Sequence, residues 1–188
     1  MASERRILEL LEAIAKHEEL PKIARSAGIS AKEAQRLIRR LMTMFKRMGR
    51  QATLIIDGAS KGNPGPAGAG AVLIDAEGWE IDAISTPLGI KTNNEAEYLA
   101  LIHGLRRAKE LGLKRLKVLT DSELMLKQMR GEYQIKSKKI LPLAIEANRL
   151  IGEFEEVRFE KASRTTTSRA DKLAKNAARM GAAKAGGR

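Results

Sequence analysis

The sequence contains no cysteine, and aromatic residues make up only 3% of it. Without cysteine the chain forms no disulfide, binds no zinc through thiolates and has no cysteine nucleophile. It also lacks a run of about 18 apolar residues that would span a bilayer, and its N-terminus lacks the apolar block of a signal peptide. We therefore expect a soluble cytoplasmic protein that does not contact membranes.

Basic residues clearly outnumber acidic residues in this sequence. The 188 residues include 35 Lys and Arg against 23 Asp and Glu, which gives a formal net charge of +12 at pH 7. This excess favours a polyanionic partner such as nucleic acid, because basic side chains gain affinity by releasing counterions from phosphates. Residues 1–50 hold twelve basic and six acidic residues, and residues 51–188 hold the rest, so each part carries +6. Either part can therefore contact phosphates.

The spacing of apolar residues changes near residue 50 and predicts two domains. From Arg6 to Phe45 apolar residues recur at helical spacing, so residues 1–50 are predicted to form a small all-α domain that ends in a basic linker. Residues 20–41 resemble a helix-turn-helix that binds nucleic acid. The alternative is a basic three-helix bundle that docks another protein. The second helix of the motif is predicted to expose Lys32, Gln35, Arg36, Arg39 and Arg40.

Residues 51–180 are predicted to form an α/β domain. Three strands in a meander come first, and two further strands then alternate with helices, so we expect a mixed five-stranded sheet with flanking helices. The predicted strands are 52–57, 67–75, 79–86, 116–120 and 156–161, and the predicted helices are 94–111, 122–129, 139–151 and 168–180. Residues 181–188 are small and basic, and they are predicted to be a disordered tail.

Four acidic residues lie in four separate segments of this domain. Asp57, Glu97, Asp121 and Asp171 each stand at the end of a predicted strand or in the first turns of a predicted helix. Carboxylates brought together from different elements can hold a pair of hard divalent cations, which require oxygen ligands from several directions. The pattern predicts a metal-dependent nuclease.

The motifs around these acids resemble those of type 1 ribonuclease H. They occur in order as Asp-Gly-Ala-Ser-Lys-Gly-Asn-Pro-Gly-Pro-Ala-Gly (57–68), Thr-Asn-Asn-Glu-Ala-Glu-Tyr (92–98), Thr-Asp-Ser (120–122) and Arg-Ala-Asp-Lys-Leu-Ala (169–174). The resemblance covers about two-thirds of the chain, from residue 52 to about 180. It implies the ribonuclease H-like fold.

This resemblance also implies an activity and a set of site residues. In that family the four acids hold two Mg²⁺ ions, with Mn²⁺ as a possible substitute, and the enzyme hydrolyses the RNA strand of RNA–DNA hybrids. The products carry 5′-phosphate and 3′-hydroxyl ends. The residues expected to contact substrate flank the acids: Gly58, Ser60, Asn63, Thr92, Asn93, Asn94 and Ser122.

Two glutamates on the first predicted helix of this domain are candidates for the metal ligand. Glu95 and Glu97 are two residues apart, and two residues turn a helix by about 200°, so both cannot face one metal site. Glu97 shares its face with the apolar stripe that packs on the sheet. Both this argument and the resemblance select Glu97.

One expected family feature is missing. Many members of the family carry a histidine in the loop before the last acid, whereas residues 161–169 contain none, and His17 and His103 lie in predicted helices. Arg164 is the best substitute, and we include it among the catalytic residues. Arginine stays protonated at neutral pH, so it would stabilise charge on the phosphate or the leaving group.

Two functions of different class remain open on the sequence alone. The first is an active endonuclease that cuts hybrids, which retention of all four acids favours. The second is a non-catalytic nucleic-acid-binding module that combines an inactive ribonuclease H fold with a helix-turn-helix. The missing histidine and the additional N-terminal helices favour the second.

Overall fold

The computed structural model describes residues 2–48 and 51–185, and the chain divides into two compact units, Met1–Arg50 and Gln51–Arg188. The first unit consists of α1 (Ala2–Lys16), α2 (Leu20–Ser26) and α3 (Ala31–Met48). Its core is small, with Leu20, Ala24, Ala34 and Ile38 as the buried apolar residues among those described.

The turn between α2 and α3 follows from two local signals. Gly28 has a φ of +72°, a conformation that residues with a Cβ rarely adopt, and it ends α2. The Ser30 hydroxyl then accepts a hydrogen bond from the backbone N–H of Glu33 at 3.1 Å, which caps the start of α3. These contacts fix a short connection between the two helices.

The second unit is built on a five-stranded sheet in the order β3-β2-β1-β4-β5. The pairs β1–β2 and β2–β3 are antiparallel, and the pairs β1–β4 and β4–β5 are parallel. This arrangement confirms the mixed sheet predicted from the sequence. The strands are β1 (Gln51–Ser60), β2 (Gly65–Ile74), β3 (Glu80–Lys91), β4 (Arg115–Thr120) and β5 (Glu156–Lys161).

Helices cover both faces of the sheet. They are α4 (Asn93–Glu110), α5 (Glu123–Met129), α6 (Ile140–Ile151) and α7 (Arg164–Ala185). Alternate residues of β1 point to opposite faces, so Leu54 and Ile56 join the main core with α4 and α6, while Ile55 packs with Ala170 of α7. No helix in the described ranges is long and apolar enough to cross a bilayer.

Two glycines allow the helices to approach the sheet at backbone distance. A Cβ at Gly58 would lie 2.2 Å from the backbone nitrogen of Glu97, and one at Gly70 would lie 2.1 Å from the carbonyl oxygen of Ala170. Neither distance leaves room for a methyl group, so only glycine fits at these positions. The backbones of α4 and α7 therefore rest directly on the two strands.

Helix α7 is longer than predicted at both ends. It begins at Arg164, because the hydroxyl of Ser163 accepts a hydrogen bond from the backbone N–H of Thr166 at 3.2 Å and caps the first turn. The prediction of a connecting segment up to residue 167 was wrong. The helix also continues to Ala185, so residues 181–185 are not the predicted tail, and residues 186–188 lie outside the described residues.

Candidate active site

The four acids selected from the sequence line one cavity of about 540 Å³. Asp57 lies on β1, Glu97 on α4 and Asp171 on α7, while Asp121 directly follows β4. Because β1 and β4 are parallel neighbours, Asp57 and Asp121 reach the same edge of the sheet. The helices then bring the other two acids to that edge. The fold thus gathers carboxylates that are far apart in sequence.

The electrostatics of the cavity reflect this crowding. Burial, followed by the charges of Glu97, Asp121 and Asp171, raises the pKa of Asp57 to about 8. Burial also raises the pKa of Glu97 to about 7, with a contribution from Asp121, against a hydrogen bond from the Ser122 hydroxyl. Carboxylates that resist ionisation in this way are stabilised by cations that balance their charge.

Neighbouring polar groups hold two of the acids. Lys175 donates to Asp171 at 2.8 Å from the next turn of α7, and the side-chain amide of Asn93 donates to Glu97 at 3.1 Å. Within the described part of the chain, no three carboxylate or imidazole side chains are close enough to hold one ion as they stand. The donor set itself fits hard divalent cations, since it offers four carboxylates in one cavity. Binding of an ion would require movement of these side chains, and Asp171 could keep its hydrogen bond to Lys175, since metal-ligating carboxylates are commonly hydrogen-bonded.

Glu95 has a separate role at the start of α4. Its carboxylate accepts hydrogen bonds from the backbone N–H of Thr92 at 2.9 Å and from the Thr92 hydroxyl at 2.8 Å. The Thr92 hydroxyl in turn accepts from the backbone N–H of Glu95, which completes a capping box. Glu95 is buried and does not line the cavity, so the structure places Glu97 and not Glu95 beside the other acids.

Several residues expected to contact substrate surround the cavity. Gly58, Ser60 and Asn93 line it. The side-chain oxygen of Asn63 accepts a hydrogen bond from the backbone N–H of Asn93 at 3.1 Å, and this bond ties the β1–β2 turn to the start of α4. The Ser60 hydroxyl donates to the carbonyl of Lys91 at 2.7 Å. These contacts fix the cavity wall between β1 and α4.

Five predicted site residues lie outside the cavity lining: Asn63, Thr92, Asn94, Ser122 and Arg164. Asn94 is half-buried on α4, and Ser122 caps α5 through the backbone N–H of Met125 while it contacts Glu97. Arg164 is the first residue of α7 and precedes Asp171 by seven residues, which is about 10 Å along the helix axis. Arg164 does not line the cavity that contains the four acids, so its catalytic role stays a prediction.

Three basic residues also line the cavity, and they were not predicted from the sequence. Lys61 lies in the β1–β2 turn, and Lys175 and Arg179 lie on α7. A sequence signal was available for the last two, because they follow Asp171 at positions i+4 and i+8 and therefore share its helix face. Lys61 had no comparable signal.

The sheet order and the cavity of four acids define an α/β domain of ribonuclease H type. Residues 55–177 match the family model described as reverse transcriptase-like. The chain therefore belongs to this ribonuclease H-like family, which confirms the resemblance inferred from the motifs.

Known proteins with similar sequences and structures include ribonucleases H. The chain is 42% identical over 122 residues to the bifunctional protein Rv2228c of Mycobacterium tuberculosis. It is similar to the structure of RNase H1 from Halobacterium salinarum, with 35% identity, a TM-score of 0.66, and coverage of 68% of this chain and 96% of that one. LC11-RNase H1 in complex with an RNA/DNA hybrid has 32% identity and a TM-score of 0.64, and the match covers 66% of this chain and 94% of that one.

These similarities are confined to the second unit. The match to the mycobacterial protein covers 64% of this chain but 34% of that protein, so this chain spans about a third of its length. The family model begins at residue 55, after the N-terminal helices. These similarities therefore do not by themselves assign an activity to the whole chain or a role to its first 50 residues.

Proposed function

We propose that this protein is an endonuclease that hydrolyses the RNA strand of RNA–DNA hybrids. The observation that carries the proposal is the single cavity in which Asp57, Glu97, Asp121 and Asp171 meet. The similarity to ribonucleases H, one of them crystallised with a hybrid, supports the same substrate. Phosphodiester hydrolysis requires a cavity that collects negative charge and can hold cations beside it.

The proposed cofactor is a pair of Mg²⁺ ions, for which Mn²⁺ can substitute. Asp57, Glu97, Asp121 and Asp171 would hold them, and the ions would supply an activated water and neutralise charge at the phosphate. Burial, followed by the charges of the other three acids, raises the pKa of Asp57 to about 8. We therefore expect Asp57 to depend on bound cations to balance its negative charge. The expected products carry 5′-phosphate and 3′-hydroxyl ends.

Other residues would position the hybrid. Asn93 lines the cavity and is connected to Asn63, so both amides lie where a strand approaching the acids would pass. We retain Gly58, Ser60, Thr92, Asn94 and Ser122 as expected substrate contacts. Arg164 would stabilise charge on the phosphate or leaving group, which requires its long side chain to reach toward the cavity from the first turn of α7.

The N-terminal helices would add affinity for nucleic acid. Helix α3 exposes Lys32, Gln35 and three arginines, Arg36, Arg39 and Arg40. A basic helix after a tight turn suits contact with the phosphates of a duplex. We propose that residues 20–41 bind nucleic acid in this way. We also propose that the protein is cytoplasmic.

One experiment tests the activity directly. The full-length protein is incubated with labelled RNA–DNA hybrid, double-stranded RNA and double-stranded DNA, with Mg²⁺, Mn²⁺ or a chelator. We expect cleavage of the RNA strand of the hybrid with either metal and none with the chelator. Hybrid that is bound but left intact under all metal conditions would instead support a non-catalytic binding module.

A further inference from the structure

Among the three basic residues of the carboxylate cavity, two have no acidic partner. Lys175 is paired with Asp171. For Lys61 and Arg179, no hydrogen bond or ion pair of the side chain is present among the residues that the structure describes, although both line the same cavity as the acids. Both side chains are exposed. They are therefore available to an anionic ligand.

The backbones that carry these two residues are fixed against each other. The backbone N–H of Lys61 donates to the carbonyl of Pro66 at 2.8 Å, which closes the β1–β2 turn. On β2, a Cβ at Gly68 would lie 2.5 Å from the backbone nitrogen of Ala178, the residue before Arg179. The hairpin thus rests directly on α7. Two cations from different elements therefore line the same cavity on backbones that are packed together.

We propose that Lys61 and Arg179 form a phosphate clamp, which binds a phosphate of the cut strand next to the one that is hydrolysed. The inference rests on the proposed function and adds a binding site to it. Ions held by the four acids would balance the charge of the attacked phosphate, whereas its neighbours on the strand need other cations. Arginine can bind a phosphate through two parallel hydrogen bonds, and lysine adds a point charge.

A different explanation is that these cations only balance the charge of the carboxylates. In that case their removal would change the affinity of the protein for metal ions and leave its affinity for the hybrid unchanged. The clamp makes the opposite prediction. Hybrid binding should weaken, and its dependence on salt should become shallower, because fewer counterions are released when a phosphate contact is lost.

The test compares full-length wild type with Lys61→Ala, Arg179→Ala and the double variant. Lys172→Ala is the matched control, since Lys172 is exposed on α7 but does not line the cavity. Hybrid affinity is measured by fluorescence anisotropy over a range of salt concentrations, with Ca²⁺ in place of Mg²⁺ to block cleavage. We expect the double variant to bind roughly tenfold to a hundredfold more weakly, with the salt slope reduced by about 1 for each residue. The control should bind like wild type.

A second measurement identifies the phosphate. Hybrids carry one uncharged methylphosphonate linkage, placed in turn at each position beside the cut in the RNA strand. In wild type one position should weaken binding, and the same linkage should cause no further loss in the double variant. In cleavage assays with Mg²⁺, the KM for the hybrid should rise in the double variant, because the clamp acts on binding.

Three outcomes would overturn the clamp. The first is a double variant that binds the hybrid with the affinity and salt slope of wild type. The second is an equal loss of hybrid affinity from every neutral linkage in both wild type and the double variant. The third is a double variant in which only the affinity for Mn²⁺, measured without hybrid, has changed. Failure of the proposed function looks different, because wild type would then leave the hybrid uncut in Mg²⁺. The clamp is judged from binding in Ca²⁺, where no cleavage takes place.

Discussion

The two units of the chain carry the same formal net charge, but their hydrophobic cores differ greatly in size. The second unit buries a main cluster of twenty residues, including fully buried Leu54, Tyr98 and Leu101. Among its described residues the first unit buries four apolar side chains in its core, and large apolar side chains such as Leu10, Ile23 and Leu41 are more than half exposed. A rigid core can hold catalytic groups within fractions of an ångström, whereas a small unit can present charge without such precision. The proposed catalysis therefore fits the second unit, and the proposed binding of nucleic acid fits the first.

The sharpest test of this division is the substitution Asp57→Asn in the second unit. It keeps the shape of the side chain and removes the charge at the centre of the acid cluster, so we expect cleavage of the hybrid to be lost. The melting temperature of the metal-free protein should hold or rise, because a repelled carboxylate has been neutralised. Undiminished turnover in the purified variant would contradict the assigned role.

The same substitution should change how stability depends on pH. The pKa of Asp57 is about 8 in the folded protein, above its ordinary value of 3.8, so the folded state holds this proton more tightly than the unfolded state. Metal-free wild type should therefore lose stability as the pH rises from about 4 to 8. Thermal melts across this range should give a flatter profile for Asp57→Asn. Equal slopes for both proteins would show that folding does not raise the pKa of Asp57.

A matched pair on α4 tests the assignment within the second unit. We expect Glu97→Gln to abolish cleavage, because the cavity loses a carboxylate. Glu95→Gln should retain activity, because Gln can replace Glu in a capping box and Glu95 does not line the cavity. Cleavage assays and melting temperatures of both variants decide the point. Loss of activity in a well-folded Glu95→Gln would reverse the assignment.

Arg164→Ala is expected to have a smaller effect. If this side chain reaches the scissile phosphate, its removal should slow turnover by about ten- to a thousandfold, the scale of losing one positioned electrostatic contact. Binding should suffer less than turnover. Single-turnover kinetics and anisotropy in Ca²⁺ separate the two. Wild-type turnover would mean that Arg164 only begins α7, as its position outside the cavity lining suggests.

Removal of residues 1–50 should have the smallest effect on catalysis. The remaining chain contains the whole sheet and all four acids, so it should fold and cut the hybrid. Loss of a unit with charge +6 should weaken hybrid binding and make its salt dependence shallower.

Replacing Arg36, Arg39 and Arg40 with Ala in the full chain should reproduce most of that loss. Equal affinity and salt slope for truncated and full-length proteins would rule out a nucleic-acid role. The helices would then be better explained as a unit that docks another protein.

The sequence predicted the sheet, the division near residue 50 and the convergence of the four acids, because strand patterning and motif order are local signals. It missed the first turn of α7, since Thr165, Thr166 and Thr167 are β-branched and weak helix formers. Burial of Thr167 and the cap from Ser163 outweigh that preference. The sequence contains no signal for Lys61, because only the folded β1–β2 hairpin brings it to the cavity, whereas the spacing of Arg179 from Asp171 was a signal that was not used.

The glycines beside the acids act as spacers of the metal site. Gly58 follows Asp57 and touches the backbone of Glu97, while Gly70 pairs with Asp57 across the sheet and touches Ala170, the neighbour of Asp171. The absence of two methyl groups thus sets the separation of three ligands. Mg²⁺ demands short, near-octahedral coordination, whereas Ca²⁺ tolerates longer and more flexible geometry. If the proposed metal ions bind there, a wider cavity would shift ion selectivity toward the larger cation, so these glycines would help to determine which metal the site holds.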